Sequence, residues 1–254
     1  IKHNVVREAI KIFKIQKGLE IHYDGDFPSK SGMASSSTFS VGLLNCLGHF
    51  AKKKLNKKEL YKKTLFLEQK ILRENVGNQD QLAASYGGFN IINFYKNGYK
   101  VKKIKNKLFL NKLEKNLYLV YTGILRSADE AAKEYINKLE KKKNILNRLM
   151  DHVDTAEKII SHGTTDDFGY LLHETWNEKK SINYNISNPL IDQIYKKGIK
   201  NGALGGKLLG AGNGGFLLFY VPKKNRNMFL KKFKNKICHP VKFYDKGSSI
   251  IHNS

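Results

Sequence analysis

The chain of 254 residues is rich in lysine and poor in acidic side chains. Hydrophobic residues make up 41% and charged residues 27%, a balance that supports a folded core in one or two domains and excludes a largely disordered chain. Lys and Arg total 46 against 22 Asp and Glu, which gives a formal net charge of +24. The lysines are spread along the chain rather than gathered in one stripe, so no specific nucleic-acid partner is expected, although polyanion binding remains an alternative.

The cysteines and the hydropathy pattern bear on the compartment. Cys46 and Cys238 lack the spacing of a disulfide framework or a metal site, which favours a reducing cytoplasm. No stretch approaches the roughly 18 to 20 apolar residues of a membrane span, so a soluble protein without a membrane partner is expected. Residue 1 is Ile and the first methionine is Met33, so we expect the true N-terminus to be missing. The sequence leaves the oligomeric state open.

Apolar spacing predicts the following elements in the first part of the chain. Helices are expected over residues 4–16, 38–51 and 57–73, a strand over residues 19–27, and a loop with a short helical segment between Glu74 and a strand that begins at Phe89. The lysine-rich segment 96–107 offers few apolar anchors. A domain boundary is placed near residue 112, which gives domains of residues 1–112 and 113–254.

The second part of the chain combines helices with apolar strands. A strand is expected from Leu117, another beside the glycine-rich turn in GGKLLGAGNGGFLLFYVP, and a last one near residues 241–244; helices are expected over about 127–143, 145–162, 166–179, 188–200 and 223–236. Strands separated by helices favour an α+β or mixed α/β fold rather than a helical bundle.

A loop of small residues, PSKSGMASSS from Pro28 to Ser37, lies between a predicted strand and an apolar helix. Small residues let backbone N–H groups point inward, and the helix dipole adds partial positive charge. Serine hydroxyls can reach a phosphate oxygen or a magnesium ion. The pattern indicates a phosphate site, and a serine-rich turn that caps a helix is the alternative.

Two carboxylates and a second glycine-rich loop follow. Glu68 lies on a predicted helix and Asp80 stands twelve positions on, so one could hold Mg²⁺ while the other accepts a proton from an attacking hydroxyl. A surface glutamate and a helix-capping aspartate are the alternative reading. The loop GAGNGG, residues 210–215, permits close backbone approach to a ligand or to another loop. Neither loop ends in the Gly-Lys-Ser/Thr of a Walker A motif, so ordinary P-loop chemistry is not supported.

Taken in order, these stretches resemble the GHMP kinase superfamily, which includes galactokinase and the homoserine, mevalonate and phosphomevalonate kinases. PSKSGMASSS matches its second motif and KLLGAGNGG, residues 207–215, its third. Three stretches look most like sugar kinases of the D-glycero-D-manno-heptose 7-phosphate kinase type: ENVGNQDQLAASYGGFN (74–90), YTGILRSADE (121–130) and GGKLLGAGNGGFLLFYVP (205–222). The resemblance covers nearly all of the chain.

The resemblance implies a two-domain α+β fold. An incomplete N-terminal domain, with a fold like that of a protein of the small ribosomal subunit, would be followed by a ferredoxin-like C-terminal domain. It also implies transfer of the ATP γ-phosphate to the anomeric hydroxyl of a phosphorylated heptose, for nucleotide-sugar and surface polysaccharide synthesis. ATP and Mg²⁺ would be the cofactors.

The resemblance also assigns roles to individual residues. Asp80 would be the catalytic carboxylate, Ser36 and Glu68 would bind Mg²⁺, and Arg126 would bind the sugar phosphate, with a surface residue at a helix entry as the alternative for Arg126. The ATP phosphates would be held by Ser31, Gly32, Met33, Ala34, Ser35, Ser36 and Ser37. The loop of Gly210, Ala211, Gly212, Asn213 and Gly214 would brace them and line the substrate pocket.

Three departures from the family pattern are visible. Ala34 replaces the middle glycine of the phosphate loop, and Asn213 stands where the third motif has glycine. Nothing before His22 resembles the family's first motif, which is consistent with a fragment or a decayed copy. The alternatives are therefore a kinase of another sugar and a catalytically inactive protein that binds sugar or ATP.

Overall fold

The computed structural model describes residues 1–27, 29, 31–125 and 142–252. Its contacts define two compact units. The first unit comprises Ile1–Lys30, Ala34–Phe89 and Tyr244–Ser254, and the second comprises Ser31–Met33 and Asn90–Phe243. These units divide after Phe89, and the domain boundary near residue 112 stays a prediction.

Among its described residues, the first unit is helical. Its elements are α1 (Asn4–Phe13), α2 (Ser35–Phe50), α3 (Lys57–Leu65), a π-helical continuation of α3 (Phe66–Ile71), and α4 (Gln79–Tyr86). The apolar faces of α1, α2 and α3 meet in one core, where Phe13, Leu44 and Leu60 are buried. Helix α3 begins at a capping box, in which Asn56 and Glu59 each bond the other's backbone N–H. Burial of these faces, rather than helix propensity alone, stabilises the unit.

The strand predicted over residues 19–27 is wrong. These residues form no strand, and the side chains of Ile21 and Tyr23 are 40% and 63% exposed. Tyr23 packs edge-on against the ring of Phe39, with centroids 5.0 Å apart. The alternation of apolar residues is present, but no described strand pairs with the segment, and an unpaired strand has no ladder to stabilise it.

The second unit contains a hairpin and a four-stranded antiparallel sheet among its described residues. The hairpin pairs β1 (Asn90–Tyr95) with β2 (Gly98–Lys103), and α5 (Lys107–Asn116) follows it. The sheet has the order β4-β5-β3-β6, with β3 (Leu117–Tyr121), β4 (Gly205–Leu208), β5 (Phe216–Tyr220) and β6 (Cys238–Pro240). Its helices are α6 (Lys143–His162), α7 (Thr165–Ile182), α8 (Pro189–Lys200) and α9 (Arg226–Phe233), with 3₁₀ turns at Tyr184–Ile186 and Lys223–Asn225.

One face of this sheet carries the larger core. Val120 of β3 lies opposite Leu217 of β5, and both pack with Trp176 of α7 and Phe229 of α9. The succession from β3 through helices to β4 and β5, and then through α9 to β6, is a ferredoxin-like arrangement. The predicted α+β, two-domain fold is therefore confirmed. The helix predicted over residues 127–143 lies largely outside the described residues.

Two further parts of the second unit differ from the sequence prediction. The lysine-rich segment 96–107 contains β2 and leads directly into α5. Its lysine side chains face solvent while the backbone of β2 pairs with β1, so the strand does not need many apolar residues. The last strand, predicted near residues 241–244, is wrong: β6 comprises Cys238–Pro240, with Cys238 opposite Val120 of β3. Proline has no N–H for a ladder bond, and the strand ends at Pro240.

Candidate functional site

The N-terminus of α2 is not capped by a side chain. The residue before it, Ala34, has left-handed backbone angles, φ 57° and ψ 24°, and gives no side-chain hydrogen bond to the helix. By contrast, Asn56 caps α3 and Thr164 caps α7. The first amides of an α-helix have no intrahelical acceptor, and at α2 no N-cap side chain bonds them. This end of α2 can therefore offer N–H donors to an anion.

Replacing Ala34 with glycine is expected to stabilise the protein. A Cβ in the left-handed region costs about 1–2 kcal/mol, whereas glycine adds about 0.4–1 kcal/mol of unfolded-state entropy, so a net gain of about 0.5–1 kcal/mol should result. Urea unfolding measures this gain. The matched control is Ala51→Gly at the other end of α2, where φ is −78° and glycine should destabilise. An equal loss in both variants would contradict a strained Ala34.

A buried polar cluster lies behind the α2 N-terminus. Glu68 is 1% exposed, and its Oε2 accepts hydrogen bonds from Ser37 Oγ at 3.2 Å and from Gln81 Nε2 at 2.5 Å. Gln81 Nε2 also reaches Ser37 Oγ at 3.2 Å. The other carboxylate oxygen, Glu68 Oε1, is buried with no hydrogen-bond partner among the described residues, as is Gln81 Oε1. A buried oxygen without a hydrogen-bond donor lowers the stability of the fold. A further ligand could therefore bind to this cluster and satisfy these oxygens.

Local backbone geometry presents Glu68 to this cluster. Residues Phe66–Ile71 form a π-helical turn at the end of α3, and Glu68 lies in its first turn. A π-helical turn widens the helix and shifts its side chains relative to the regular α spacing, and such turns are frequent at functional sites. Gln81 comes from the first turns of α4. The cluster therefore joins α2, the end of α3 and α4.

The structure groups some of the predicted site residues and not others. It brings Ser37 rather than Ser36 to Glu68, because Ser37 is buried and Ser36 is exposed. Ser36 as a metal ligand stays a prediction. Gln81 was not singled out from the sequence, because an uncharged amide carries no titration chemistry; its position next to Asp80 was the available signal. Arg126 lies outside the described residues.

Asp80 lies in the first turn of α4, next to Gln81. Its side chain keeps contact with solvent, but the protein packed around it raises the pKa of the carboxyl above the ordinary aspartate value by desolvation. A carboxylate with a raised pKa is a better proton acceptor than an ordinary aspartate. Asp80 is thus suited to receive a proton.

Within the second unit, the start of the small-residue loop packs against the second glycine-rich loop. A Cβ built on Gly32 would lie 3.0 Å from Leu209 O, and one on Gly215 would lie 2.1 Å from Ser31 O. These glycines have φ values of +76° and +94°. Ser31 is 0% exposed, and within the described part of the chain its hydroxyl has no hydrogen-bond partner. Only residues without a Cβ allow this contact between two backbones.

Hydrogen bonds hold the second glycine-rich loop in place. Gly215 O accepts from the Thr122 backbone N–H at 3.0 Å and from its hydroxyl at 2.7 Å. Asn213 has φ +57°, which asparagine tolerates, and its N–H donates to Ile186 O at 2.8 Å. Lys179 Nζ donates to Gly210 O at 2.6 Å. The loop is thereby a fixed support for Ser31 and Gly32.

Gly215→Ala is expected to destabilise the protein by about 2–4 kcal/mol, since it combines a strained φ with overlap on Ser31 O. Equilibrium urea unfolding tests this. Gly42→Ala is the control, because Gly42 lies in α2 with nothing within 4 Å of the new Cβ, and alanine there should stabilise by about 0.5–1 kcal/mol. Similar stability of the Gly215→Ala variant and the unchanged protein would contradict the close contact.

The residues present fit a magnesium ion shared with ATP phosphates. Mg²⁺ in such sites takes one or two carboxylates and completes its shell with phosphate oxygens and water. Glu68 offers a buried carboxylate oxygen without a partner. The described residues contain no group of three His, Cys, Asp or Glu side chains that could hold a metal by themselves.

None of the described helices is long and apolar enough to cross a membrane.

Family models match both halves of the chain. The model of the GHMP kinases N terminal domain matches residues 4–88, and that of the GHMP kinases C terminal domain matches residues 156–235. D-glycero-alpha-D-manno-heptose 7-phosphate kinase from Campylobacter jejuni is 33% identical over 232 residues, which cover 89% of this chain and 68% of that protein. L-fucokinase/L-fucose-1-P guanylyltransferase from Bacteroides fragilis is 28% identical over 85% of this chain but only 23% of its own length.

Solved structures agree on the fold. A D-glycero-D-manno-heptose 1-phosphate kinase from Bacteroides thetaiotaomicron has a TM-score of 0.73 at 24% identity, covering 96% of this chain and 72% of its own. The mevalonate kinase of Methanococcus jannaschii has a TM-score of 0.74 at 26% identity, covering 93% and 72%. With both family models matched in order, the chain belongs to the GHMP kinases, a family of ATP-dependent kinases.

Proposed function

We propose that this chain transfers the γ-phosphate of ATP to the anomeric hydroxyl of a phosphorylated heptose. One observation carries the chemistry: the buried Glu68 carboxylate is bonded to Ser37 at the start of α2 and to Gln81 of α4, the residue that follows Asp80 in the sequence. Phosphoryl transfer needs one carboxylate that binds the metal and another that accepts the proton, and Glu68 and Asp80 would supply them.

The ATP phosphates would bind along Ser31–Ser37. The uncapped N-terminus of α2 supplies N–H donors and the positive end of the helix dipole, and the serine hydroxyls add donors. Gly210, Ala211, Gly212, Asn213 and Gly214 would support Ser31 and Gly32, since a Cβ on Gly210 would lie 3.0 Å from the Cα of Gly32 within the second unit. Asn213 and Ala34 both adopt the left-handed angles at which the family pattern has glycine.

Glu68 and Ser36 would hold Mg²⁺. When bound, the metal supplies positive charge that offsets the charge on the phosphate oxygens. Glu68 Oε1 is the oxygen free to face it, because Oε2 is occupied by Ser37 and Gln81. Gln81 fixes the carboxylate's orientation, a supporting role that generally affects metal affinity.

Asp80 would accept the proton of the attacking hydroxyl. The hydroxyl oxygen forms a bond to the γ-phosphorus, the bond from that phosphorus to the bridging oxygen of ADP breaks, and the hydroxyl proton passes to the Asp80 carboxylate. Alignment contributes as much as deprotonation, since phosphoryl transfer is driven by positioning and charge stabilisation. The raised pKa of Asp80 favours this transfer.

The proposed acceptor rests on sequence similarity to relatives with named substrates. The heptose 7-phosphate kinase at 33% identity supports a phosphorylated heptose, whereas relatives named mevalonate kinase and galactokinase, at 27% and 24% identity, keep other acceptors in view. Arg126 is our candidate for binding the sugar phosphate, since arginine forms paired hydrogen bonds with phosphate. The sugar 1-phosphate produced would supply a nucleotidyl-transfer reaction for surface polysaccharide, in the cytoplasm, where ATP is available.

A panel of acceptors tests the proposal. The chain is incubated with ATP, Mg²⁺ and, in separate reactions, heptose 7-phosphate, free heptose, galactose, fucose and mevalonate, and kcat/KM is compared. The highest kcat/KM with heptose 7-phosphate is expected. A preference for another sugar would replace the acceptor while retaining the chemistry. Binding of ATP without transfer to any acceptor would favour an inactive binding protein.

A further inference from the structure

Residues Tyr244–Ser248, which we name the C-terminal clip, bond to the far end of the helix that carries Asp80. Gly88 N–H donates to Tyr244 O at 2.8 Å, and Ser248 N–H donates to Ala84 O at 2.9 Å. The latter carbonyl lies in the last turn of α4, where backbone oxygens lack intrahelical partners. All of these residues belong to the first unit. The clip therefore caps α4 from about 160 residues away in the sequence.

The clip and the end of α4 meet backbone to backbone. A Cβ on Gly87 would lie 1.9 Å from Gly247 N, and a Cβ on Gly247 would lie 2.6 Å from Ser85 O. Both glycines have positive φ, +64° and +69°. Because no side chain fits on either of them, the contact is specified by two glycines and is sensitive to a single methyl group.

The clip also reaches α2. Asn45 Nδ2 in the middle of α2 donates to Ser248 Oγ at 3.0 Å. Lys57 Nζ at the start of α3 donates to Tyr86 O, 2.6 Å away, and so holds the end of α4 from another side. Helix α2 carries Ser37 at its start, and α4 carries Asp80 and Gln81. A single residue, Ser248, thus bonds α2 and α4, two of the three elements that build the polar cluster.

We propose that the C-terminal clip is a positioning device, with Gly247 and Ser248 as positioning residues that hold α4, and through it Asp80, in the reactive arrangement. The inference rests on the proposed kinase function. An eight-residue helix is too short to be stable alone, so its register depends on contacts at both ends. Loosening the capped end would misalign the Asp80 carboxyl, and small misplacements of a catalytic group lower rates steeply.

Three variants of the full chain test the clip. Gly247→Ala introduces the clashing methyl group, Ser248→Ala removes only the hydroxyl that Asn45 bonds, and Gly18→Ala is the control, because nothing lies within 4 Å of its new Cβ. For each, kcat and the KM for ATP are measured with the best acceptor, with the pH dependence of kcat. Amide hydrogen exchange of α4 and α1 is followed in parallel.

Gly247→Ala should lower kcat at least tenfold with the KM for ATP changed less than twofold, and α4 amides should exchange faster while α1 amides do not. The acid limb of kcat should move down towards the ordinary aspartate pKa as the protein packed around Asp80 loosens. Ser248→Ala should show the same changes in kcat and α4 exchange to a smaller degree. If Gly247→Ala does not fold, the result for Ser248→Ala decides whether the proposal holds. Two results would overturn the proposal: an unchanged kcat although the α4 amides exchange faster, or unchanged exchange of the α4 amides. If the unaltered chain transfers no phosphate, the proposed function fails, and unchanged α4 exchange would still refute the clip.

Discussion

Asp80→Asn is expected to lower kcat by about 10²–10⁴-fold, the range by which a positioned proton acceptor accelerates such a step. Asparagine keeps the size of the side chain and its place in the first turn of α4, so ATP binding should be retained. In the unchanged protein, kcat should fall as the pH decreases through the raised pKa of Asp80, above the ordinary aspartate value of about 3.9.

The same substitution should stabilise the fold at neutral pH. Because the pKa of Asp80 is raised in the folded state, the folded protein binds more protons than the unfolded chain between the ordinary and the raised value. Over that window stability falls as the pH rises, and above it the penalty is fully present. Asparagine removes the penalty, so the variant should unfold at higher temperature near pH 7, and the difference should vanish below about pH 3.

Steady-state kinetics and thermal unfolding over the same pH series check both statements. Asp192→Asn is the matched control, since Asp192 lies in the first turn of α8, as Asp80 does in that of α4. A fully active Asp80→Asn variant would refute the catalytic role. Lower stability of that variant at neutral pH would refute the desolvated carboxyl.

Glu68→Gln should weaken magnesium activation and lower kcat/KM by about 100-fold or more, because the amide lacks the charge that binds the metal. The amide preserves the volume and can still accept hydrogen bonds from Ser37 and Gln81, so the variant should fold. The readouts are the Mg²⁺ concentration giving half-maximal rate and direct calorimetric binding of Mg²⁺ with a non-hydrolysable ATP analogue.

The control for Glu68 is Glu20→Gln, which changes an exposed carboxylate bonded only to His22 among the residues described around it. It should leave both readouts unaltered. An unaltered half-maximal Mg²⁺ concentration in Glu68→Gln would contradict a role for Glu68 as metal ligand.

Periodicity predicted the elements that bury an apolar face. Helix α2 begins three residues before its predicted start, and the apolar run of β3 lies where it was expected, because burial dictates the residue pattern in both. The strand over residues 19–27 failed because alternation describes a strand only when a partner is present. Strand β2 was missed because lysine is rare in strands and weakens the strand pattern of the sequence, although the backbone of β2 is paired with β1.

The sequence could suggest candidate site residues where chemistry depends on residue type in local sequence. The small-residue loop, Glu68 and Asp80 carry such signals. The sequence could not reveal that Ser37 rather than Ser36 bonds Glu68, because that depends on how α2 is rotated about its axis. Nor could it reveal the bond from Ser248 to Asn45, since contacts between distant segments leave no periodic trace.

We propose that phosphoryl transfer by this kinase depends on Asp80. The most direct test follows a mixture of the protein, ATP, Mg²⁺ and heptose 7-phosphate by ³¹P nuclear magnetic resonance, beside the same mixture containing Asp80→Asn. We expect ADP and a new anomeric phosphate signal to appear together, in equal amounts, only with the unchanged protein. Equal rates of product formation by both proteins would contradict the catalytic role of Asp80.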